Sequence, residues 1–450
     1  MSSSSLACII LAAGKGQRMQ SALPKPLHAV AGRSMLAHVI AAAESLSPEK
    51  IIVVTGPDMP QIAEAAAPHR TAIQQVQNGT GGAALAARDS LAGFAGDILV
   101  LFGDAPLITA DTLKRLVDAR RQLPAVGVVY AAFRTADPKR YGRMVMADDA
   151  SLAKIVEYKD ASEAERAITL CNGGILCADG GKLFDWLDQV GNDNAQGEYY
   201  LTDLPAIARK DNRIAQIVEV DASEMEGANT RVELAQLERL MQDRLRERHM
   251  LGGATLVDPQ SVFFSHDTVI GRDVVIEPNV FFGTGVRVAD NVTIHANSHI
   301  AGTHIGEGAS IGPFARLRAG SKIGADAKVG NFVETKNVTL GAGAKASHLT
   351  YLGDAEVGTR ANIGAGTITC NYDGFDKHRT VIGEEAFIGS NTALIAPVSV
   401  GAGAFVGAGS AIYDDVPPNA LSLTRAPQIT KDGWATEFKR NKMKSKAKKD

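Results

Sequence analysis

Four cysteines in 450 residues, Cys8, Cys171, Cys177 and Cys370, are too few and too irregularly spaced for a disulfide framework, and no C-x-x-C pair occurs. In a chain this long that scarcity excludes a disulfide-stapled secreted scaffold and points to a reducing compartment, with the cytoplasm as the expectation. Aromatic residues are also scarce, at 5%, so any large core must be built mainly from aliphatic side chains. No stretch approaches the ~18 consecutive apolar residues that span a bilayer. The N-terminal residues 1–5 bring no basic segment, and the apolar run at 6–13 leads straight into a glycine-rich loop, which reads as a first buried strand and not as a secretory signal. Neither sign of charge dominates. A net charge of −3 gives no global field for nucleic acid or membrane and leaves small acidic substrates to local patches. The one charge run, residues 439–449, reads as a solvated, frayed chain end.

Glycine is plentiful, at 45 residues, and much of it falls into a six-residue rhythm. Aliphatic guide residues recur at Ile270, Ile276, Phe282, Val288, Ile294 and Ile300, continue through Ile305, Ile311, Leu317, Ile323, Val329 and Thr335, and run on through Leu340, Ala346, Leu352, Val357, Ile363 and Thr369. The count resumes at Ile382 and holds to Ile412. Hexads of this kind are the signature of a parallel β-helix, in which each hexad is a short strand plus a turn and coils stack about 4.8 Å apart. The steps from Ile300 to Ile305, Thr335 to Leu340 and Leu352 to Val357 are five residues long, yet the phase recovers at once, which puts the shortfalls in turns.

Upstream of about residue 228, apolar runs at 7–11, 51–55, 98–102 and 126–131 alternate with helically spaced segments at 34–46, 83–92 and 110–121. Such alternation predicts a mostly parallel sheet covered on both faces, with ligands bound at the carboxyl ends of its strands. Thr230 and Glu233 form a capping-box signature, and Leu234, Leu237, Met241 and Leu245 make one apolar stripe, predicting a long helix that ends near Gly252-Gly253. The expected domains are 1–228, a linker helix at 229–250, and 251–450.

The first strand runs into Leu11-Ala12-Ala13-Gly14-Lys15-Gly16-Gln17-Arg18-Met19, followed by Pro24-Lys25-Pro26-Leu27. Glycines here let backbone N–H groups turn toward phosphate oxygens, although a glycine-rich turn after a strand is also an ordinary tight turn. A dinucleotide fingerprint is excluded because Arg18 stands where its third glycine is required, and a P-loop because Gly-Lys-Ser/Thr is absent. The second strand ends at Thr55-Gly56 without the acidic residue that would hold a ribose.

These residues resemble the signature of sugar-1-phosphate nucleotidyltransferases. The resemblance implies that Leu11, Ala12, Ala13 and Gly14 contact the nucleotide and that Arg18 and Lys25 act in catalysis by neutralising phosphate charge. It further implies uracil reading by Gln74 and Gly79-Thr80, and sugar-nucleotide contacts from Gly142, Glu157, Asn172 and Asn229. Phe102-Gly103-Asp104 ends a strand where that family places its metal-binding Asp, so Asp104 with Asn229 is expected to hold Mg²⁺. Two residues depart from the pattern: Phe102 replaces the commoner Tyr, and Gly173 follows Asn172 where Thr is usual.

In the solenoid, departures from the repeat carry the information. His295, His299 and His304 read as satisfied surface residues, but His348 lies among Lys336, Tyr351, Asn362 and Asn371-Tyr372, and the segment 370–379 breaks the period as an extruded loop would. The stretch 312–374 resembles the acetyltransferase domain of the bifunctional bacterial enzymes that make UDP-N-acetylglucosamine, and with the first domain the likeness covers nearly the whole chain. It implies a left-handed β-helix and a homotrimer with acetyltransferase sites between subunits. Arg318, Lys336, Tyr351, Asn362 and Lys377 are then the sugar-phosphate residues; Ala365, Asn371, Tyr372, Ser390, Ala408 and Arg425 the acetyl-CoA residues; and His348 the general base. The expected activity is acetylation of glucosamine 1-phosphate by acetyl-CoA, then uridylyl transfer from UTP, supplying peptidoglycan and lipopolysaccharide precursors. Two rivals are a nucleotidyltransferase whose solenoid only assembles subunits, and a binding protein that keeps both folds without catalysis. Residues 336–372 argue against the first, and Gly14, Arg18, Lys25 and Asp104 against the second.

Overall fold

The structure is a computed structural model that describes residues 5–446; the reading of residues 1–4 and the last lysines of the basic run, Lys448 and Lys449, lie outside the described residues. The chain forms two compact units, Met1–Glu247 with Phe264–His266, and Arg248–Phe263 with Asp267–Asp450. Among the described residues no helix is long and apolar enough to cross a membrane.

The first unit is built on strands β1 (Leu6–Leu11), β2 (Lys50–Thr55), β3 (Arg70–Ile73), β4 (Asp97–Phe102), β5 (Val126–Arg134), β6 (Arg143–Met146), β7 (Leu152–Val156), β8 (Leu170–Asp179) and β9 (Ile214–Glu219). Their order across the sheet is β9-β5-β8-β4-β1-β2-β3, with β6 and β7 forming a hairpin beside β8. All neighbours on that path are parallel except β8, which runs against both β4 and β5. Every residue of β1 is buried. Ala7, Ile9 and Leu11 enter one core while Leu6, Cys8 and Ile10 enter the other, because successive side chains point to opposite faces. Burial pushes the Cys8 thiol up to about 12, so it serves as a packing group. β1 has β2 on one side and β4 on the other, so the chain leaves β1 at a switch point where the carboxyl ends of adjacent strands open a crevice.

The expected helices form as Met35–Glu44, capped by Ser34 Oγ, and Ala110–Arg121, capped by Thr109 Oγ1. The segment expected as a helix over 83–92 is broken: a helix spans Thr80–Leu85 and only a 3-10 turn follows at Asp89–Leu91. The linker helix spans Arg231–Leu251. Its capping box is made, with Glu233 N donating to Thr230 Oγ1 (3.2 Å) and Thr230 N to Glu233 Oε2 (3.1 Å). Leu237 lies in a cluster with Val30, Met35, Leu107 and Ala228, flanked by Leu234 and Met241.

The second unit is the hexapeptide-repeat β-helix that the rhythm predicts. Its two-residue strands pair only in parallel, one coil to the next, as in Val275–Ile276 on Thr293–Ile294 and Ser310–Ile311. The second residue of each pair turns inward, so Ile276, Ile294, Ile311, Val329, Ala346, Ile363, Ile388 and Val406 stack as one column of the core. Two guide positions are threonines with full duties: Thr335 Oγ1 bonds Ser321 Oγ (3.0 Å), and Thr369 Oγ1 accepts from Gly353 N (2.7 Å). Asn362 pairs with Phe387, 25 residues on, whereas the steps Lys345 to Asn362 and Phe387 to Phe405 are 17 and 18. The extra residues are the extruded loop between the strands Ile368–Cys370 and Thr380–Ile382. The chain end differs from the frayed tail expected: Trp434–Lys446 is a helix, exposed along its length. Trp434 stacks on Phe438 at 5.0 Å and Lys442 Nζ lies 5.6 Å from the Phe438 ring, the i, i+4 neighbours of a helical turn.

Candidate functional sites

At the carboxyl ends of β1 and β4 a cavity of about 740 Å³ opens, lined by Leu11, Ala12, Ala13, Gly14, Arg18, Lys25, Gln74, Gly79, Thr80, Phe102, Asp104 and Asn229 among others. The loop is shaped by glycines where a side chain has no room. Gly16 has φ +59, and a Cβ there would lie 2.6 Å from Lys25 Cβ; Gly79 has φ +111, and a Cβ would lie 2.4 Å from the Tyr199 carbonyl. Gln77, absent from the expected set, donates through Nε2 to the Ala13 carbonyl and ties down the loop. Gln74, buried, donates to Gly79 O (3.1 Å), and Thr80 Oγ1 accepts from Leu201 N (3.1 Å). Gly103 lies behind the lining, its N–H bonded to Leu11 O (2.9 Å).

The charged centre is compact. Lys25 Nζ donates to Asp104 Oδ2 at 2.5 Å and to Asn229 Oδ1 at 3.0 Å. Asn229 is held there because its own N–H donates to Glu233 Oε2 (2.5 Å), so the capping box of the linker helix also sets the position of this side chain. Two oxygens, one carboxylate and one amide, thus converge on one cationic point. That donor set suits Mg²⁺, which takes a few hard protein oxygens and completes its shell with water and phosphate. Among the described residues no group of three or more His, Cys, Asp or Glu is arranged to hold a metal ion.

Gly142, Glu157 and Asn172 form a neighbouring cluster. Asn172 N donates to Gly142 O (2.9 Å), and a Cβ on Gly142 would sit 3.5 Å from both Asn172 Cβ and Glu157 Oε1. Phe102 joins this cluster to the cavity, since a Cβ on Gly174 would lie 2.8 Å from its ring and Gly174 N donates to Asn172 Oδ1. Burial, with Asp160, Asp203 and Glu198 adding repulsion and Thr202 opposing by a hydrogen bond, lifts the Glu157 carboxyl above its ordinary range. Gly173 has a physical reason: a Cβ there would meet Met225 Sδ at 2.3 Å and Ala131 O at 3.0 Å, so Met225 fills the space a threonine needs.

In the solenoid four of the six expected acetyl-CoA residues, Ala365, Ser390, Ala408 and Arg425, line up on one corner, while Asn371 and Tyr372 lie at the start of the extruded loop. Backbone hydrogen bonds run Leu349 N to Asn331 O, Gly366 N to His348 O, Asn391 N to Ala365 O and Gly409 N to Ser390 O, and Arg425 Nη1 reaches Ala408 O at 3.0 Å. Asn331, His348, Ala365, Ser390, Ala408 and Arg425 are therefore consecutive rungs of a single ladder. Asn331 was missed in the sequence. It faces His348 directly, its Oδ1 2.5 Å from His348 Nδ1, and its signal is position alone, one 17-residue coil before His348.

On the adjoining face Tyr351 stacks over Glu334, whose carboxylate holds Arg318 at 3.0 Å. Lys336 pairs in register with Gly353. The Lys377 ammonium beside Lys336, with desolvation and the Arg318 charge adding to it and Asp354 opposing, holds Lys336 below the ordinary lysine range. Three cations gathered this way in an exposed position suit a phosphate. A Cβ on Gly353 would lie 2.5 Å from Tyr351 Oη and 2.8 Å from Asn371 Nδ2, so this glycine lets the tyrosine and asparagine close over it. Asn371 also donates to Asp354 Oδ2 (2.5 Å). Asn362 faces outward on the strand pair with Lys345, on the other side of the corner from Tyr351. The loop is braced from inside: Asp373 accepts from Phe375 N and Asp376 N and pairs with His378 Nε2 at 2.7 Å, while Tyr372 Oη donates to Gly374 O. His295 is held by Glu277 (2.9 Å), and His299 stacks on Phe281 (4.9 Å), as surface residues with partners.

A MobA-like NTP transferase domain profile matches residues 8–171, a bacterial transferase hexapeptide profile matches 267–302 and 302–337, and a succinyl-transferase hexapeptide repeat profile matches 379–414. The chain is 51% identical over 450 residues to the bifunctional protein GlmU of Paramagnetospirillum magneticum, covering 100% of both chains. It is 50% identical over 440 residues to that of Zymomonas mobilis, covering 97% of this chain and 98% of the relative. With that of Jannaschia sp. the identity is 52% over 438 residues, covering 96% of each. Matched end to end by such relatives, and carrying both domain types in order, the chain belongs to the GlmU family of bifunctional proteins.

Proposed function

We propose that the cavity at β1 and β4 is the uridyltransferase site and that the corner ladder from Asn331 to Arg425 is the acetyltransferase site. The chain carries both activities of the family in UDP-N-acetylglucosamine synthesis. Glucosamine 1-phosphate is acetylated first. Arg318, Lys336 and Lys377 hold its phosphate, Tyr351 and Asn362 flank the sugar from the two sides of the corner, and the amine meets the acetyl-CoA thioester beside His348. The amine nitrogen attacks the carbonyl carbon, its proton passes to His348 Nε2, and the C–S bond breaks to release CoA. The pantetheine arm would run past the small residues Ala365, Ser390 and Ala408, consecutive on one corner, toward Arg425. Asn371 and Tyr372 would contact it from the extruded loop.

In the other site the loop of Leu11, Ala12, Ala13 and Gly14 holds the nucleotide, and Gln74, Gly79 and Thr80 read the base. Phe102 and Gly103 carry the chain into Asp104, and Gly142, Glu157 and Asn172 take the sugar. The phosphate oxygen of N-acetylglucosamine 1-phosphate attacks the α-phosphorus of UTP and pyrophosphate leaves, with Arg18 and Lys25 countering the negative charge that gathers. Mg²⁺ held by Asp104 and Asn229 would supply further charge neutralisation between the two phosphate groups.

The working form is proposed to be a cytoplasmic homotrimer. All four cysteines are free thiols, which suits a reducing compartment. Phe314, Phe332 and Leu349 sit at the same corner of successive coils with φ near +50, where other coils use Asn or Gly, and are 48%, 55% and 62% exposed. Large apolar side chains in that strained, exposed position suit a subunit contact.

The single observation that carries the acetyltransferase assignment is the ladder that joins His348 to Arg425. The test is to supply acetyl-CoA and glucosamine 1-phosphate without UTP and to follow free thiol. Stoichiometric CoA release is expected, and none would refute the assignment.

A further inference from the structure

Asn331 and His348 stand opposite each other in the pairing of the strands Lys328–Asn331 and Lys345–His348. Their side chains meet with Asn331 Oδ1 2.5 Å from His348 Nδ1. A carbonyl oxygen only accepts, so the ring hydrogen must lie on Nδ1, and a neutral imidazole protonated at Nδ1 keeps its lone pair on Nε2, at the opposite edge of the ring. Two further bonds fix the pair: Leu349 N donates to Asn331 O (3.0 Å), and Thr350 Oγ1 donates to His348 O (2.7 Å). On the later rungs of this corner the residues are Ala365, Ser390 and Ala408, none with a side chain that could take over the contact.

We propose that Asn331 is the positioning residue of the acetyltransferase, fixing the tautomer and ring orientation of His348 so that Nε2 faces the substrate amine. This rests on His348 being the base. An amide is suited to the task because it orients the ring without adding the negative charge a carboxylate would bring, so the base stays easily discharged once its proton has been taken.

The experiment measures kcat and KM for acetyl transfer from pH 5.5 to 9 in wild type, Asn331→Ala, Asn331→Asp and His348→Ala. Asn331→Ala is expected to lower kcat about 10- to 100-fold, less than the ~10²- to 10⁴-fold that general-base catalysis supplies because the base itself remains, with the KM for acetyl-CoA changed less than about twofold. Asn331→Asp, which restores an acceptor oxygen, is expected to recover most of that loss and to move the acidic limb of the pH profile upward by about one unit, as a nearby carboxylate does. Melting temperature and uridylyl transfer are expected to stay at wild-type values in both, since Asn331 is only half-buried and His348 is exposed. Asn331→Ala within about twofold of wild type, or Asn331→Asp no better than Ala with an unmoved limb, would overturn the proposal while leaving His348 as base. Near-normal acetylation by His348→Ala would remove the base itself and the proposal with it.

Discussion

Lys25 holds the two oxygens to which a divalent ion is assigned, so the ammonium and the ion compete for them. Replacing it by Met keeps the length of the side chain and removes the charge. Its partners are mostly shielded, at 15% exposure for Lys25 and 20% for Asp104, and the two contacts are 2.5 and 3.0 Å. A charge-assisted contact of this kind is worth about 1 to 2 kcal/mol. Releasing Asp104 and Asn229 from it should therefore tighten divalent-cation binding about 5- to 30-fold in the absence of nucleotide, at ~1.4 kcal/mol per tenfold. The assay is a titration of nucleotide-free protein with Mn²⁺, followed by the loss of its free-ion electron paramagnetic resonance signal, for wild type, Lys25→Met and Asp104→Asn. Lys25→Met should bind more tightly than wild type yet transfer uridylyl groups more slowly, because it no longer counters phosphate charge. Asp104→Asn should bind least. Equal affinity in wild type and Lys25→Met would refute the competition, and full affinity in Asp104→Asn would refute the ligand assignment.

Glu157 gives a pH prediction with a definite sign. Its raised pKa means that the folded state favours the protonated form, a stabilisation present below the ordinary value of 4.5 and lost as pH rises through the folded value; thermal melts should show wild type losing ground to Glu157→Gln as pH rises above 4.5, and a pH-independent difference would contradict this. Gly173→Thr should lower stability by about 1 to 3 kcal/mol through overpacking against Met225, and the double variant with Met225→Ala should recover part of it in a denaturant-unfolding cycle; additive effects would show that the two residues do not compete for space. Phe332→Ser should weaken self-association in sedimentation equilibrium if the corner ridge is a subunit contact; an unchanged mass would remove the ridge from the interface.

The hexad guide residues gave away the solenoid because burial acts on every coil alike: Ile276, Ile294 and Ile311 must all be aliphatic, so the pattern repeats in the sequence. The extruded loop was legible for the same reason, as the place where the repeat lapses before Thr380. The capping box at Thr230 and Glu233 was equally plain, but its second effect, holding Asn229 against Lys25, depends on contacts between residues about 200 apart. Asn331 was invisible as a functional residue because nothing local marks it. Only the length of one coil carries it to His348. Gly173 is a departure in the sequence alone because its reason, Met225 in the space beside it, is distant in the chain. The terminal helix is hidden in the sequence because residues 439–449 read as a solvated run of like charges, whereas Trp434, Phe438 and Lys442 attract one another at helical spacing.

The central claim is that one chain performs two chemistries with separate residues. The most direct test is a crossed assay of Asp104→Ala and His348→Ala, measuring CoA released from acetyl-CoA and glucosamine 1-phosphate, and pyrophosphate released from UTP and N-acetylglucosamine 1-phosphate. Asp104→Ala should lose pyrophosphate release and keep CoA release, and His348→Ala should do the reverse. Loss of both activities in either folded variant would contradict the account.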